Sequence, residues 1–337
     1  MEIDIILNEF ASPAEAAELS KLAESYGLRG VWSSSYGDGW DPFMSLSLAA
    51  DQTSHVRLGP LAVSPYELHP LKMTNALHSL NELSNGRAMI CVGGGGGVIQ
   101  HMGKERDRMV GHLRECLEIM NQVSADKDLN YNGEFYTTWG YKLKWATQEK
   151  PQIYLASNHP QTMRLATRMA DGLMTSDFCL PLMRQRIEGI YAELDATGRP
   201  RDSFRISNFW AWHIKEDADA SWAEARRELI LRGYLGKQYF EPFLEADELQ
   251  FMLDHFDDFL AAWKQGSDKI NNVPDELVRK MITNISYVGG LDAIDDAVAS
   301  LREFAAAGLT EIALRVHDEP AAAIRLIGEQ VAPALRG

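Results

Sequence analysis

Cysteine is scarce in this chain, and the three present, Cys91, Cys116 and Cys179, lie far apart with no C-x-x-C pair. Neither a disulfide framework nor a zinc site is expected from that spacing. The chain also lacks an H-E-x-x-H pair and a Gly-Lys-Ser/Thr phosphate loop, so no metal site is expected. No apolar run approaches the roughly 18 residues that a membrane helix needs. Met1-Glu2-Ile3-Asp4 has no basic n-region, and Ile5-Ile6-Leu7 is too short to be the apolar core of a signal peptide. These absences lead us to expect a cytoplasmic protein without membrane contact. Basic charge is in deficit: the formal net charge of −15 at pH 7 excludes the basic face that a nucleic-acid partner would require.

The 337 residues, 45% hydrophobic and 24% charged, describe an ordinary globular chain. They alternate short apolar strands with amphipathic helices. Ile3–Leu7 reads as the first strand, and Ser12-Pro13-Ala14-Glu15 opens a helix as a capping box with proline at its first position. Gly30–Ser34 is the second strand, with a helix running from Asp41-Pro42 through Ala50. Val56–Val63 and Arg87–Gly93 are the third and fourth strands, each with its helix, Pro70–Leu83 and Glu105–Val123. Leu129–Trp145 reads as a hairpin around Asn132-Gly133. The rhythm resumes with strands at Gln152–Ala156, Gly172–Thr175, Ser203–Ile214 and Glu311–Val316. Strands apolar on both faces and separated by helices predict an α/β fold, a TIM-like (β/α)8 barrel with insertions. The expected organisation is a single barrel domain over 1–337, with an aromatic-rich helical insertion at 217–283 before strand eight. An open doubly wound sheet is disfavoured because Asn8-Glu9-Phe10-Ala11 after strand one has no glycine.

In such a fold, ligands sit at the carboxyl ends of the strands, which directs attention to Val56–Gly97. Gly93 through Gly97 are five consecutive glycines, suited to close backbone approach, but Val98 occupies the place of the third glycine in a G-x-G-x-x-G. A ligand-facing loop and a plain turn both remain open readings. Ser157-Asn158-His159-Pro160-Gln161 enters a helix whose N-terminus could take a phosphate, or which could simply be capped. Trp40, among Gly39 and Asp38, is a candidate ligand wall. His112 and Glu115, one turn apart, read as a solvated face, and Arg315 and His317 end the last strand at the barrel mouth, where a structural role is at least as natural.

Several stretches, in this order, resemble the bacterial luciferase-like superfamily of flavin- and deazaflavin-dependent oxidoreductases. They are AESYGLRGVW (23–32), VRLGPLAVSPYELHP (56–70), LNELSNGRAMICVGGGG (80–96), PQIYLASNHPQTMRLATRMADGL (151–173) and the tail at 287–315. The proline–tyrosine run followed by His69-Pro70 is most similar to the F420-dependent methylenetetrahydromethanopterin reductase-like branch. The resemblance implies a cofactor at the strand ends, coenzyme F420 with FMN as the alternative. It implies a non-prolyl cis peptide at Leu61–Ala62 behind the redox ring, with Ser35, Leu61, Ala62 and Val63 beside it. Gly93, Gly94, Gly95 and Gly96 would pass close to the cofactor, and Ser157, Asn158, His159, Pro160 and Gln161 would receive its phosphate. Where members of this branch often carry Asp-His after strand two, this chain has Ser35-Tyr36, and the acidic residue some members place after strand four is missing. Trp40, Tyr36, Glu67 and His69 are therefore the candidate catalytic groups. The expected activity is hydride transfer between the deazaflavin and a small organic substrate. The alternatives are FMN-dependent monooxygenation and a non-catalytic flavin-binding protein, and the expected assembly is a homodimer or higher homo-oligomer.

Overall fold

The computed structural model describes residues 1–336. Eight parallel strands form its centre: β1 (Glu2–Leu7), β2 (Gly30–Ser34), β3 (Arg57–Val63), β4 (Met89–Val92), β5 (Gln152–Ala156), β6 (Gly172–Ser176), β7 (Arg205–Trp212) and β8 (Glu311–Arg315). Each pairs with the next, and β8 returns to β1 with Ile3 opposite Ile312, so the barrel closes. The expected barrel is present with all eight strands in sequence order. A short extra strand, Ser286–Tyr287, adds to the end of β7 opposite Ala211 and Trp212; two residues are too few for an alternation signal in the sequence.

Side chains alternate in and out along every strand. The inward row is a compact cluster of Ile6, Trp32, Leu61, Met89, Cys91, Tyr154, Met174 and Ala313, while the outward residues join the larger core beneath the helices. The amino-terminal end of the barrel is sealed by a buried polar layer. Asp4 and Glu311 are fully buried, and Asp4 accepts hydrogen bonds from Arg29 Nε (2.9 Å) and Trp32 Nε1 (2.8 Å). Arg29 also pairs with Glu311 (3.0 Å), to which the Tyr154 hydroxyl donates (3.0 Å). Every buried charge therefore has a partner, which such a layer requires.

Helix limits differ from the sequence reading at three places. The helix after β2 breaks at Leu46 into Pro42–Ser45 and Ser47–Gln52. The helix after β4 begins at Met109 rather than Glu105, because Arg108 adopts a left-handed conformation (φ 48°) that cannot continue a helix. A separate short helix, Gly97–His101, precedes it. The segment between β7 and β8 carries helices Ala218–Glu228, Lys237–Phe240, Ala246–Asp254, Phe256–Lys264 and Asp275–Ile285 before Ile294–Ala307 packs on the barrel. The His112–Glu115 turn is not a solvated face. Glu115 is 1% exposed and its carboxylate accepts the backbone N–H groups of Glu134, Phe135 and Tyr136, holding the Leu129–Tyr141 hairpin against the helix. Among the described residues, no helix is long and apolar enough to cross a membrane, and no group of His, Cys, Asp and Glu is arranged to hold a metal ion.

Candidate active site

At the end of β3 the peptide bond between Leu61 and Ala62 is cis, at the position the resemblance implies. The pairing with β4 shifts there: Leu61 lies opposite Cys91, and Val63 opposite Val92. The Ser35 N–H fixes the bulge from the other side by donating to the Leu61 carbonyl (2.7 Å), and Gly93 N–H donates to Val63 O (3.0 Å). Beside the bulge opens a cavity of about 370 Å³ at the carboxyl ends of β3 to β7. Leu61, Gly94 and Gly95 form one wall, Ala156, Met174 and Phe209 the inner surface, and Tyr239 and Arg106 parts of the rim.

At Gly94 and Gly95 the protein's own packing leaves no room for a side chain. A Cβ on Gly94 would fall 2.3 Å from Met109 Sδ, and one on Gly95, at φ +80°, 2.5 Å from Ile99. A Cβ on Gly93 would sit 3.0 Å from that of Ala62, whereas one on Gly96 would meet open space. Gly94 and Gly95 thus present backbone rather than side chain to the cavity, and Gly93 and Gly96 are not among its lining residues.

The polar end of the cavity is built by the loop after β5. No side chain caps the helix Pro160–Met169, so its first-turn N–H groups remain free for a ligand. Ser157, His159 and Thr162 surround that terminus, with the Ser157 and Thr162 hydroxyls in mutual contact. Asn158 is committed to holding the loop: its Oδ1 accepts Ser176 N–H (2.9 Å), and its Nδ2 donates to Ser176 Oγ (3.0 Å) and to the Tyr239 hydroxyl (2.6 Å). An uncapped helix terminus with hydroxyls beside it and Arg106 on the rim fits a phosphate.

Across the barrel mouth, polar groups gather over β7 and β8. Arg315 Nη2 pairs with Glu9 (2.9 Å), and its Nη1 donates to Leu7 O (2.5 Å). Arg232 arrives from the segment after β7, pairs with Asp177 (3.2 Å) and lies over the Phe209 ring (5.2 Å to its centre). His317 stacks on His213 (4.6 Å between centres), whose Nδ1 is 2.7 Å from Glu224. Burial, with His213, Arg315, Arg232 and Lys215 nearby, pushes the His317 imidazole well below its usual range.

The candidate residues of the sequence divide into two groups. Leu61, Gly94, Gly95, Ser157, Asn158 and His159 line the cavity. Val63 points outward into the main core, and Ser35, Ala62, Pro160 and Gln161 flank the lining residues. Trp40 is 49% exposed; Tyr36 is 45% exposed overall, but burial raises the pKa of its hydroxyl, which lies near Arg315, Tyr234, Glu9 and Arg232 at the barrel mouth, and neither residue is in the cavity wall. His69 caps the helix Pro70–Leu83 by accepting Leu71 N–H on Nδ1 (3.2 Å). Glu67 lies in the loop after β3, where burial raises its carboxyl to about 7. A carboxyl held above its unfolded value of 4.5 binds its proton more tightly in the folded state, so stability falls as pH rises from about 4.5 to 7. Glu67→Gln is therefore expected to be more stable than the parent at pH 8, with the difference vanishing below about pH 4.5. Urea denaturation across that range checks this, and an equal gap at both ends would refute it.

Arg106, Met109, Phe209 and Tyr239 also line the cavity and were not signalled by the sequence. Phe209 could have been found from its place in the inward row of β7; Tyr239 could not, being 30 residues beyond it in the short helix Lys237–Phe240.

Three comparisons bear on this architecture. A 5,10-methylenetetrahydromethanopterin reductase of Archaeoglobus fulgidus is 25% identical over 321 residues, covering 94% of each chain. The structure of the coenzyme F420-dependent tetrahydromethanopterin reductase from Methanopyrus kandleri superposes with a TM-score of 0.82 at 20% identity, covering 98% of each chain. The oxygenating constituent of 3,6-diketocamphane monooxygenase from Pseudomonas putida, in complex with FMN, gives 0.66 at 18% identity over 99% of each chain. The barrel, the bulge at Leu61–Ala62 and the match of residues 3–311 to the family model together show that this chain belongs to the luciferase-like monooxygenase family.

Proposed function

We propose that the cavity beside Leu61–Ala62 holds the deazaflavin coenzyme F420, and that the protein moves a hydride between it and a small organic substrate. The coarser statement, a flavin- or deazaflavin-dependent oxidoreductase, follows from the family. The observation that carries the finer reading is the shape of the site. It is a cleft walled by the cis peptide and by glycine backbone, ending at an uncapped helix terminus. Such a cleft fits a flat ring at one end and a phosphate at the other. The relatives named as F420-dependent support the deazaflavin over FMN.

When bound, the deazaflavin supplies the hydride donor or acceptor. Leu61 and Gly94 would back its ring, while Ala156, Met174 and Phe209 keep water from the reacting face. Ser157, Thr162 and the free N–H groups of the helix would hold the phosphate. FMN-dependent oxygenation is the second reading, favoured by the FMN-bound neighbour and by a polar end that takes either phosphate.

Titration of the purified protein with each cofactor, followed by absorbance and fluorescence, separates the two. F420 is expected to bind with micromolar affinity and FMN at least about ten-fold more weakly. The reverse order would transfer the assignment to FMN. His159→Glu places a negative charge at the polar end and is expected to weaken F420 by roughly ten-fold or more. Unchanged affinity in that variant would remove the phosphate from this loop.

A further inference from the structure

Strand β7 carries large side chains on both of its faces. Phe209 packs on the inward cluster and lines the cofactor cavity, so its neighbour Trp210 points outward, beneath the helices. There Trp210 lines a second cavity of about 340 Å³, between the barrel wall, the start of the helix Leu180–Ala196 and the helix Ile294–Ala307. This cavity shares no lining residue with the cofactor cavity. Its volume suits a small molecule.

The inner walls are aromatic. The Trp210 ring centre lies 5.8 Å from that of Tyr287 and 5.6 Å from that of Phe304, and both partners also line the cavity. Most of the polar groups there are already spent. Tyr287 and Ser300 share a hydrogen bond (3.2 Å), Ser286 Oγ donates to Ile282 O (2.8 Å), and Asn284 Nδ2 donates to Lys280 O (2.8 Å). Trp210 is the exception: it is 3% exposed, and its Nε1 has no hydrogen-bond partner. Native interiors rarely leave such a group unmet, and an indole N–H can only donate. An acceptor is the missing element in this wall.

Charge narrows the choice of acceptor. Among the described residues lining the cavity, Asp296 alone is charged; it is exposed, and no cation lines the cavity to offset it. A carboxylate or phosphate would meet like charge here, whereas a neutral carbonyl would not. The Asp296 oxygens can also accept, which suits a ligand bearing an N–H beside its carbonyl. An aromatic ring completes the match with the walls. We propose that this cavity is a ligand site separate from the cofactor cavity, taking a small neutral aromatic carboxamide whose carbonyl accepts from Trp210 Nε1–H. The assignment does not depend on which cofactor the protein uses, because the two cavities lie on opposite faces of β7.

Fluorine NMR on the purified full chain tests this with two probes of the same shape, 4-fluorobenzamide and the anionic 4-fluorobenzoate. The amide is expected to bind with a millimolar or tighter dissociation constant, and the benzoate at least about ten-fold more weakly. Trp210→Phe keeps an aromatic wall and removes the N–H, so amide affinity should fall at least about five-fold. Ala293→Phe puts a ring into the cavity and should abolish amide binding. Ala156→Phe fills the cofactor cavity instead and should leave amide affinity within about two-fold of the parent. No binding at millimolar concentration, equal binding of amide and benzoate, or native affinity in folded Trp210→Phe or Ala293→Phe overturns the site. A loss of amide binding in Ala156→Phe also overturns it, by placing the probe in the cofactor cavity. If Trp210→Phe or Ala293→Phe fails to fold by circular dichroism, the other decides.

Discussion

Asp4→Ala is expected to lower the unfolding free energy by about 3–5 kcal/mol, the typical cost of removing one partner from a buried ion network. Asp4 has no exposure, and its carboxylate is the acceptor for both Arg29 and the Trp32 indole. Without it the indole N–H is left unpaired in the barrel, and Arg29 retains Glu311 as its carboxylate partner. Asp4→Asn keeps an acceptor for Trp32 and should fall between the parent and the alanine variant. Urea denaturation measures both, and a loss below about 1 kcal/mol for Asp4→Ala would show that the layer contributes little. The layer closes the amino-terminal end of the barrel, opposite the cavity, so F420 affinity of the folded variant should be unchanged.

The second large effect is expected inside the cavity. Ala156 ends β5, opposite Met174, and its methyl group stands between the bulge and the loop that follows. Ala156→Phe would place a ring in the space assigned to the cofactor, against Leu61 and Phe209. Overpacking of this size costs up to about 3 kcal/mol, so F420 affinity should drop by roughly 100-fold. The fold should survive, because the added ring occupies an open cavity rather than a filled core. Circular dichroism checks the fold and fluorescence titration the affinity. A native dissociation constant in a folded variant would place the cofactor elsewhere.

The legible part of this molecule was the part written in local chemistry. Eight apolar strands separated by helical periods give the barrel, and Pro160 marks the helix start beside the cavity, because each signal lies within a few residues. The bulge at Leu61–Ala62 came from resemblance; nothing in the composition of Gly59-Pro60-Leu61-Ala62 requires it. The glycine run was legible as unusual backbone but not in its cause. Met109 and Ile99 fill the space that side chains on Gly94 and Gly95 would need, and only the folded chain brings them there. Glu115 was misjudged for a related reason: a carboxylate on a helix reads as solvated until a hairpin supplies three backbone donors. Tyr239 was out of reach because it joins the cavity wall from the short helix Lys237–Phe240, whose approach to the barrel mouth no periodicity records.

The hydrogen bond between Asn158 and the Tyr239 hydroxyl has a consequence for how this protein can be cut or built. It joins the loop after β5 to a residue 81 positions later. A nascent chain therefore completes this wall of the cavity only after residue 239 has emerged, when seven of the eight strands have already been made. Shortening the protein to a minimal barrel by excising 217–283 would remove that wall together with Arg232. Of two fragments divided at an exposed point between 158 and 239, neither alone holds the complete site, and ligand binding would report their reassociation.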